Sequence, residues 1–174
     1  MEKFSKLLPI FIFFIFINSN IKADVPYYVD FKYILNQSEA GKKAQKSLKD
    51  KLENGLKKLT AKEKTLLSEE KKIIEQKKLI EPEAYKKKVE ELRSKVLSLQ
   101  KERNKLLETV SKQRLTARNE LLKNLNPIIS EYMQEKKIRM VVDKKSILLA
   151  DQNLDITKEI MNLLNKKLKS IKLN

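Results

Sequence analysis

The sequence predicts a mostly α protein with a small β body: a long antiparallel coiled-coil hairpin arm set on a β-strand oligomerisation body. Three observations carry that prediction. Tyr85, Val89, Leu92, Val96, Leu99, Arg103, Leu106, Val110, Gln113, Ala117 and Leu121 recur at steps of three and four. At that spacing a helix keeps one narrow seam turned toward a partner helix. Charged residues make up 36% of the chain, with only two Gly and four Pro, which suits long wet helices better than a large globular core. Short β-branched runs lie on either side of the helical stretch, outside it.

In chain order, residues 1–23 read as a secretory signal. Lys3 and Lys6 precede an apolar run from Leu7 to Ile17, and a polar stretch ends at the small residue Ala23, the expected cleavage position. The run is about half of the roughly 20 residues a membrane-spanning helix needs. This predicts an exported chain. The chain has no Cys, hence neither a disulfide framework nor a lipid-bearing thiol.

Residues 24–37 and 127–174 are assigned to the body and 38–126 to the arm. Val25–Asp30 has the β-branched and aromatic character of a strand, and Phe31–Leu35 suits a helical turn. Asn36-Gln37-Ser38-Glu39 offers a helix start. The first long helix is expected over 38–80, with Ala44, Leu48, Leu52, Gly55, Leu59, Leu66, Ile73 and Ile80 as its stripe. Lys62 and Glu69-Glu70 interrupt it. Gly55 reads either as a tolerated weak spot or as a hinge.

The turnaround is placed at 81–83, where Pro82 suits the first position of a helix. The second long helix is expected over 82–126. It is disturbed at Asn126-Pro127, resumes through Tyr132, and ends at Lys136-Lys137. Ile138–Asp143 and Ile147–Ala150 read as two strands of a hairpin. A last helix follows, with Asp155 or Thr157 as cap and Ile160, Met161, Leu163, Leu164 and Leu168 as its apolar face. A body this small buries little apolar surface and leaves sheet edges open. Shared assembly relieves both problems, and Tyr28, Val29, Met140, Val141, Val142, Ile147, Leu148 and Leu149 are its candidate residues.

The formal net charge is +16, and between Lys42 and Leu125 there are 25 Lys+Arg against 13 Asp+Glu. The excess therefore sits on the arm. With no His, and with no nucleophile–base set or metal-ligand spacing, no enzyme and no cofactor are expected.

Tyr28-Val29-Asp30, Asn36 to Ala44, Pro82 to Val89, Met140 to Asp143, Ile147 to Asp151 and Leu154 to Ile160, in this order behind a signal, resemble the Skp/OmpH family of periplasmic chaperones. The resemblance implies a jellyfish-like homotrimer whose arms enclose a cavity. It implies an ATP-independent holdase that binds unfolded outer-membrane proteins, prevents their aggregation and delivers them for assembly. Contact with lipopolysaccharide or another anionic lipid surface has been proposed for some members, but no motif here places it. The candidate client contacts are the off-seam residues Leu56, Leu67, Ile74, Leu97, Leu107 and Leu115, and the tip cations Lys77, Lys78, Lys86, Lys87 and Lys88. Two alternatives stay open: an exported structural coiled-coil envelope protein, and a basic non-specific nucleic-acid-binding protein. The export signal argues against nucleic acid as a physiological partner.

Overall fold

The computed structural model describes residues 25–173; the signal and its cleavage position lie outside the described residues. The chain runs β1 (Tyr27–Val29), α1 (Phe31–Gln37), α2 (Glu39–Gln76), α3 (Pro82–Lys136), β2 (Val141–Asp143) and α4 (Thr157–Lys167), with 3₁₀ turns at Lys144–Ser146 and Gln152–Leu154.

Two caps start the helical part. Asp30 Oδ1 accepts from the Tyr33 amide at 2.7 Å and opens α1. Ser38 is fully buried, and its Oγ accepts from the Gly41 amide at 3.2 Å to open α2. The chain bends sharply between these helices. A Cβ on Gly41 would collide with the Leu35 carbonyl oxygen, so the bend requires glycine there.

α2 ends four residues before the expected Ile80, and 77–79 form a turn. The reason is local. The residue before a proline is pushed out of the helical region, and Glu81 stands at φ −58°, ψ 144° ahead of Pro82. The reversal therefore takes its residues from the end of α2.

α3 corrects the expected disturbance at Asn126-Pro127: one helix of 55 residues runs straight through Pro127. Proline removes one amide donor, leaving the Lys123 carbonyl without its helical partner. Both Lys123 and Pro127 face solvent, while Leu125 and Ile128 beside them are buried. Water can therefore hydrate the orphan carbonyl, and the packed face holds the helix together. α3 ends at Lys137 in the left-handed region, φ 54°, with the Ile138 amide donating to the Met133 carbonyl at 2.8 Å.

The arm doubles back, so the two ends of the chain meet. β1 and β2 pair in parallel, Tyr27 opposite Val141 and Val29 opposite Asp143. The Ile156 amide donates to the Tyr28 carbonyl on the other side of β1 at 3.0 Å, closing an isolated bridge to Asp155. The expected strand hairpin over 138–150 does not form. Its first strand shrinks to Val141–Asp143, and Lys144–Ser146 coils into a 3₁₀ turn. Ile147–Ala150 pairs with no strand among the described residues, since the 3₁₀ turn at Lys144–Ser146 replaces the tight turn a hairpin needs.

The body core is Val29, Ile34, Ala40, Leu121, Leu125, Ile128, Ile156, Ile160 and Leu164. Every helix contributes to it, so the root of the arm and the body share one core. Of the expected α4 face, Ile160 and Leu164 are buried, while Met161, Leu163 and Leu168 are partly buried against that core. Neither expected cap residue occupies the cap position of α4, which is Ile156. Asp155 Oδ1 accepts from the Thr157 amide at 2.9 Å. The Thr157 hydroxyl accepts from the Asp30 amide at 2.8 Å, tying α4 to α1. Beyond α4 the chain lies along α3, with Leu168 and Ile171 partly buried.

Candidate functional site

The arm is an antiparallel pair held in strict register. Lys88 Nζ donates to Gln76 Oε1 at 2.6 Å, Lys95 pairs with Glu69, Lys62 with Glu102 at 2.6 Å, and Lys51 Nζ donates to Gln113 Oε1 at 2.9 Å. From Gln76 to Glu69 to Lys62, each retreat of seven residues on α2 is matched by seven on α3. One heptad on each helix is the repeat of the arm. The interruptions of the first stripe, Lys62 and Glu69, are thus cross-helix ion pairs at the seam edge. Arg103 of the second stripe likewise pairs with Glu63 at 3.2 Å.

Burial along this seam is graded. Near the root Ala44, Leu48, Val110, Gln113, Ala117 and Leu121 are buried, midway Leu59 is, and beyond it toward the tip only Ile73 is among the described residues. Val96, a seam position, is 49% exposed. The register sets it opposite the polar stretch Ser68-Glu69-Glu70, and it stays open to solvent on the side it shares with Leu66 and Leu67.

All six off-seam candidates are exposed: Leu56, Leu67, Ile74, Leu97, Leu107 and Leu115. Leu56, Leu67 and Ile74 are eleven and seven residues apart and fall on one line along α2. Leu67 and Leu97 come together in an open groove of about 630 Å³, shared with Leu66, Leu92, Val96 and Leu99 and edged by Glu63, Glu70, Arg93 and Arg103. Leu56, Ile74, Leu107 and Leu115 stand elsewhere on the arm surface. Sequence reasoning missed Val96 and Leu79. Leu79 is 80% exposed in the tip turn, where it was counted within the helix. The Glu69-Glu70 interruption was the available signal for Val96.

The tip cations divide. Lys78, Lys86 and Lys87 are exposed. Lys88 is half-buried and bonded to Gln76, and Lys77 Nζ stands 6.0 Å from the Tyr85 ring centroid. Those two help to close the turn.

The candidate assembly residues also divide. Tyr28 and Val29 are buried inside the protomer, while Val141, Val142 and Ile147 are half-buried. Met140 is exposed, and Leu148 and Leu149 are fully so at 103% and 92%. The outer edge of β2 has no strand beside it among the described residues.

Tyr132, in the body half of α3, has its phenol raised above the usual value, first by burial and then by the nearby Glu159 carboxylate. The Lys136 ammonium is raised chiefly by its hydrogen bond to Glu135. Among the described residues no cluster of His, Cys, Asp or Glu could hold a metal, and no helix is long and apolar enough to cross a membrane.

The comparisons with known proteins agree with this architecture. None of the curated proteins searched matches the sequence significantly. A Caulobacter crescentus CB15 protein, described as an OmpH-like outer membrane chaperone and solved by crystallography at 2.83 Å, is 21% identical. It superposes with a TM-score of 0.79 over 87% of this chain and 91% of that one. The model of the family of OmpH-like outer membrane proteins matches residues 27–164, from β1 into α4. The chain therefore belongs to the OmpH-like family.

Proposed function

We propose that the protein is an ATP-independent periplasmic holdase that binds unfolded outer-membrane proteins between helical arms, prevents their aggregation and delivers them for assembly. The observation that carries this reading is the arm surface. Large apolar side chains stand exposed along its length, on a helix pair rich in lysine. Unfolded barrel proteins present alternating apolar strands that aggregate in water. Scattered apolar contacts hold such strands weakly at many points. A basic field speeds capture of acidic chains and fades over about 8 Å in physiological salt. Release needs no fuel, because a client that folds into the membrane buries its own strands.

The arm needs companions to make a cavity. The exposed Leu148 and Leu149, which follow β2 in the chain, and the open edge of β2 fit a sheet completed by neighbouring copies, and the family relationship favours a homotrimer. The signal-like residues 1–23 and the family relationship support a periplasmic location, and residues 38–126 act as the client-facing arm. The test is to titrate purified mature protein into a urea-unfolded outer-membrane protein, dilute, and follow turbidity, with the mass of each species measured alongside. A trimer that suppresses turbidity at about one trimer per client is the expected result. A monomer, or a trimer that leaves turbidity unchanged, overturns the reading. The second outcome is what a structural envelope coiled coil would give.

A further inference from the structure

A second groove lies at the root of the arm, between α2 and α3 beside the end of α1, with a volume of about 760 Å³. Its floor is apolar: Ala44, Leu48, Ala117 and Leu121 line it and are 3–6% exposed. Its two rims are basic. Lys42, Lys46 and Lys49 step along α2, and Arg114 and Arg118 along α3, all five exposed. No carboxylate lines the groove. The side chains of Lys42, Lys46, Arg114 and Arg118 make no ion pair or hydrogen bond with another described residue, and Lys49 reaches only Glu53, at 3.6 Å. Midway along the arm the pattern is the opposite: Lys62, Lys95 and Arg103 each hold a carboxylate across the hairpin.

Cations three and four residues apart lie in a row on a helix, about 6 Å apart. Two such rows flanking an apolar floor repeat the arrangement of flank positions beside the seam of a coiled coil. A third helix laid along the floor would bring acidic residues past both rows at the same pitch. In an extended strand, the neighbours of the floor-facing side chains point away from the floor. We propose that the arm-root groove docks an amphipathic helix of another protein, apolar along one stripe and acidic on both flanks. The arm of a second copy does not fit, because it carries 25 basic against 13 acidic residues between Lys42 and Leu125. A membrane surface fits poorly, since the apolar residues are recessed and cannot insert.

The test uses the full mature chain and a labelled synthetic helix with Leu at the seam positions and Glu at the flanks, read by fluorescence anisotropy. The expected result is binding that Arg114→Gln/Arg118→Gln weakens by about tenfold, while Lys86→Gln/Lys87→Gln at the tip weakens it by less than about twofold. Lys42→Gln/Lys46→Gln, on the opposite rim, should weaken it as much as the arginine pair does. Circular dichroism melts check that each variant is folded. A peptide with Lys in place of Glu should not bind. Failure of the Glu peptide to bind, equal weakening by root and tip variants, or vesicles of phosphatidylglycerol binding in its place overturns the proposal. The docking does not rest on the holdase reading. Lost peptide binding with unchanged turbidity suppression in the same variants would support the groove as a separate surface.

Discussion

Gly55 lies against Leu106: a Cβ built on the glycine would stand 2.5 Å from Leu106 Cδ2 and 2.7 Å from Cδ1. α2 runs unbroken through this point. Close approach of the facing leucine accounts for a residue without a side chain, and no hinge is required. Alanine gains about 1 kcal/mol of helix propensity over glycine, whereas overpacking costs about 1–3 kcal/mol. Gly55→Ala should therefore lower stability by about 1 kcal/mol in the native background. In a Leu106→Ala background the same change should raise it by about 1 kcal/mol, since only propensity remains. Urea unfolding of the four proteins reads the change of sign, and its absence would reject the contact as the reason for the glycine.

Lys62 and Glu102 join the two helices on an exposed face, their side chains 56% and 45% accessible. Exposed pairs contribute about 0–1 kcal/mol. Lys62→Glu should lower stability by about 1 kcal/mol at low salt, and Glu102→Lys should restore most of it. Raising salt should shrink both effects. Thermal melts at two ionic strengths check this, and failure of the swap to restore stability would count against the register.

Gln113 is a polar residue buried in the seam, and both ends of its amide are used. Its Oε1 accepts from Lys51 Nζ at 2.9 Å, and its Nε2 donates to the Leu173 carbonyl at 3.1 Å. The residue thus ties α2, α3 and the segment after α4 together. Gln113→Ala should cost about 1–3 kcal/mol. It should also speed amide hydrogen exchange over 168–173 while leaving exchange at the tip unchanged.

Tyr132 has its phenol pKa raised by burial and by Glu159. The folded state then holds this proton more tightly than the unfolded chain does. The resulting stability is fully present below the unfolded value of 10.0 and is lost as pH rises through the higher folded value. Tyr132→Phe should flatten the fall in stability above pH 10, as read by urea midpoints across that range; an unchanged slope would assign the fall to other groups.

Leu56, Leu67 and Ile74 form an exposed line on α2. Changing all three to Ser should lower stability by no more than about 1.5 kcal/mol in total and leave the chain folded, because exposed substitutions usually fall within about 0.5 kcal/mol each. Turbidity suppression should weaken clearly. Full suppression by the triple variant would move client binding off this line.

The arm was legible because its signal is periodic. The stripe from Tyr85 to Leu121 names the seam of α3, and Glu81-Pro82 names the turn. The register could also have been read, since Lys62 and Glu69 break the first stripe where partners on α3 answer them. Pro127 misled because a single proline signals an end, whereas the packed Leu125 and Ile128 hold the helix through it. The strand hairpin misled for a different reason. Ile147-Leu148-Leu149 has strand character, but pairing is a property of neighbours, and β2 finds its neighbour in β1, more than 100 residues earlier. The exposed leucines were legible as leftovers from the seam, whereas Val96 depended on what faces it.

The lockstep of seven residues on α2 with seven on α3 makes the hairpin behave as a ruler. Its reach can change only by whole notches cut from both limbs together. An insertion in one limb alone would have to be looped out or would shear every rung between it and the bend. Differences in arm length between molecules built this way should accordingly arrive in steps of about 10 Å, the rise of one heptad, rather than residue by residue.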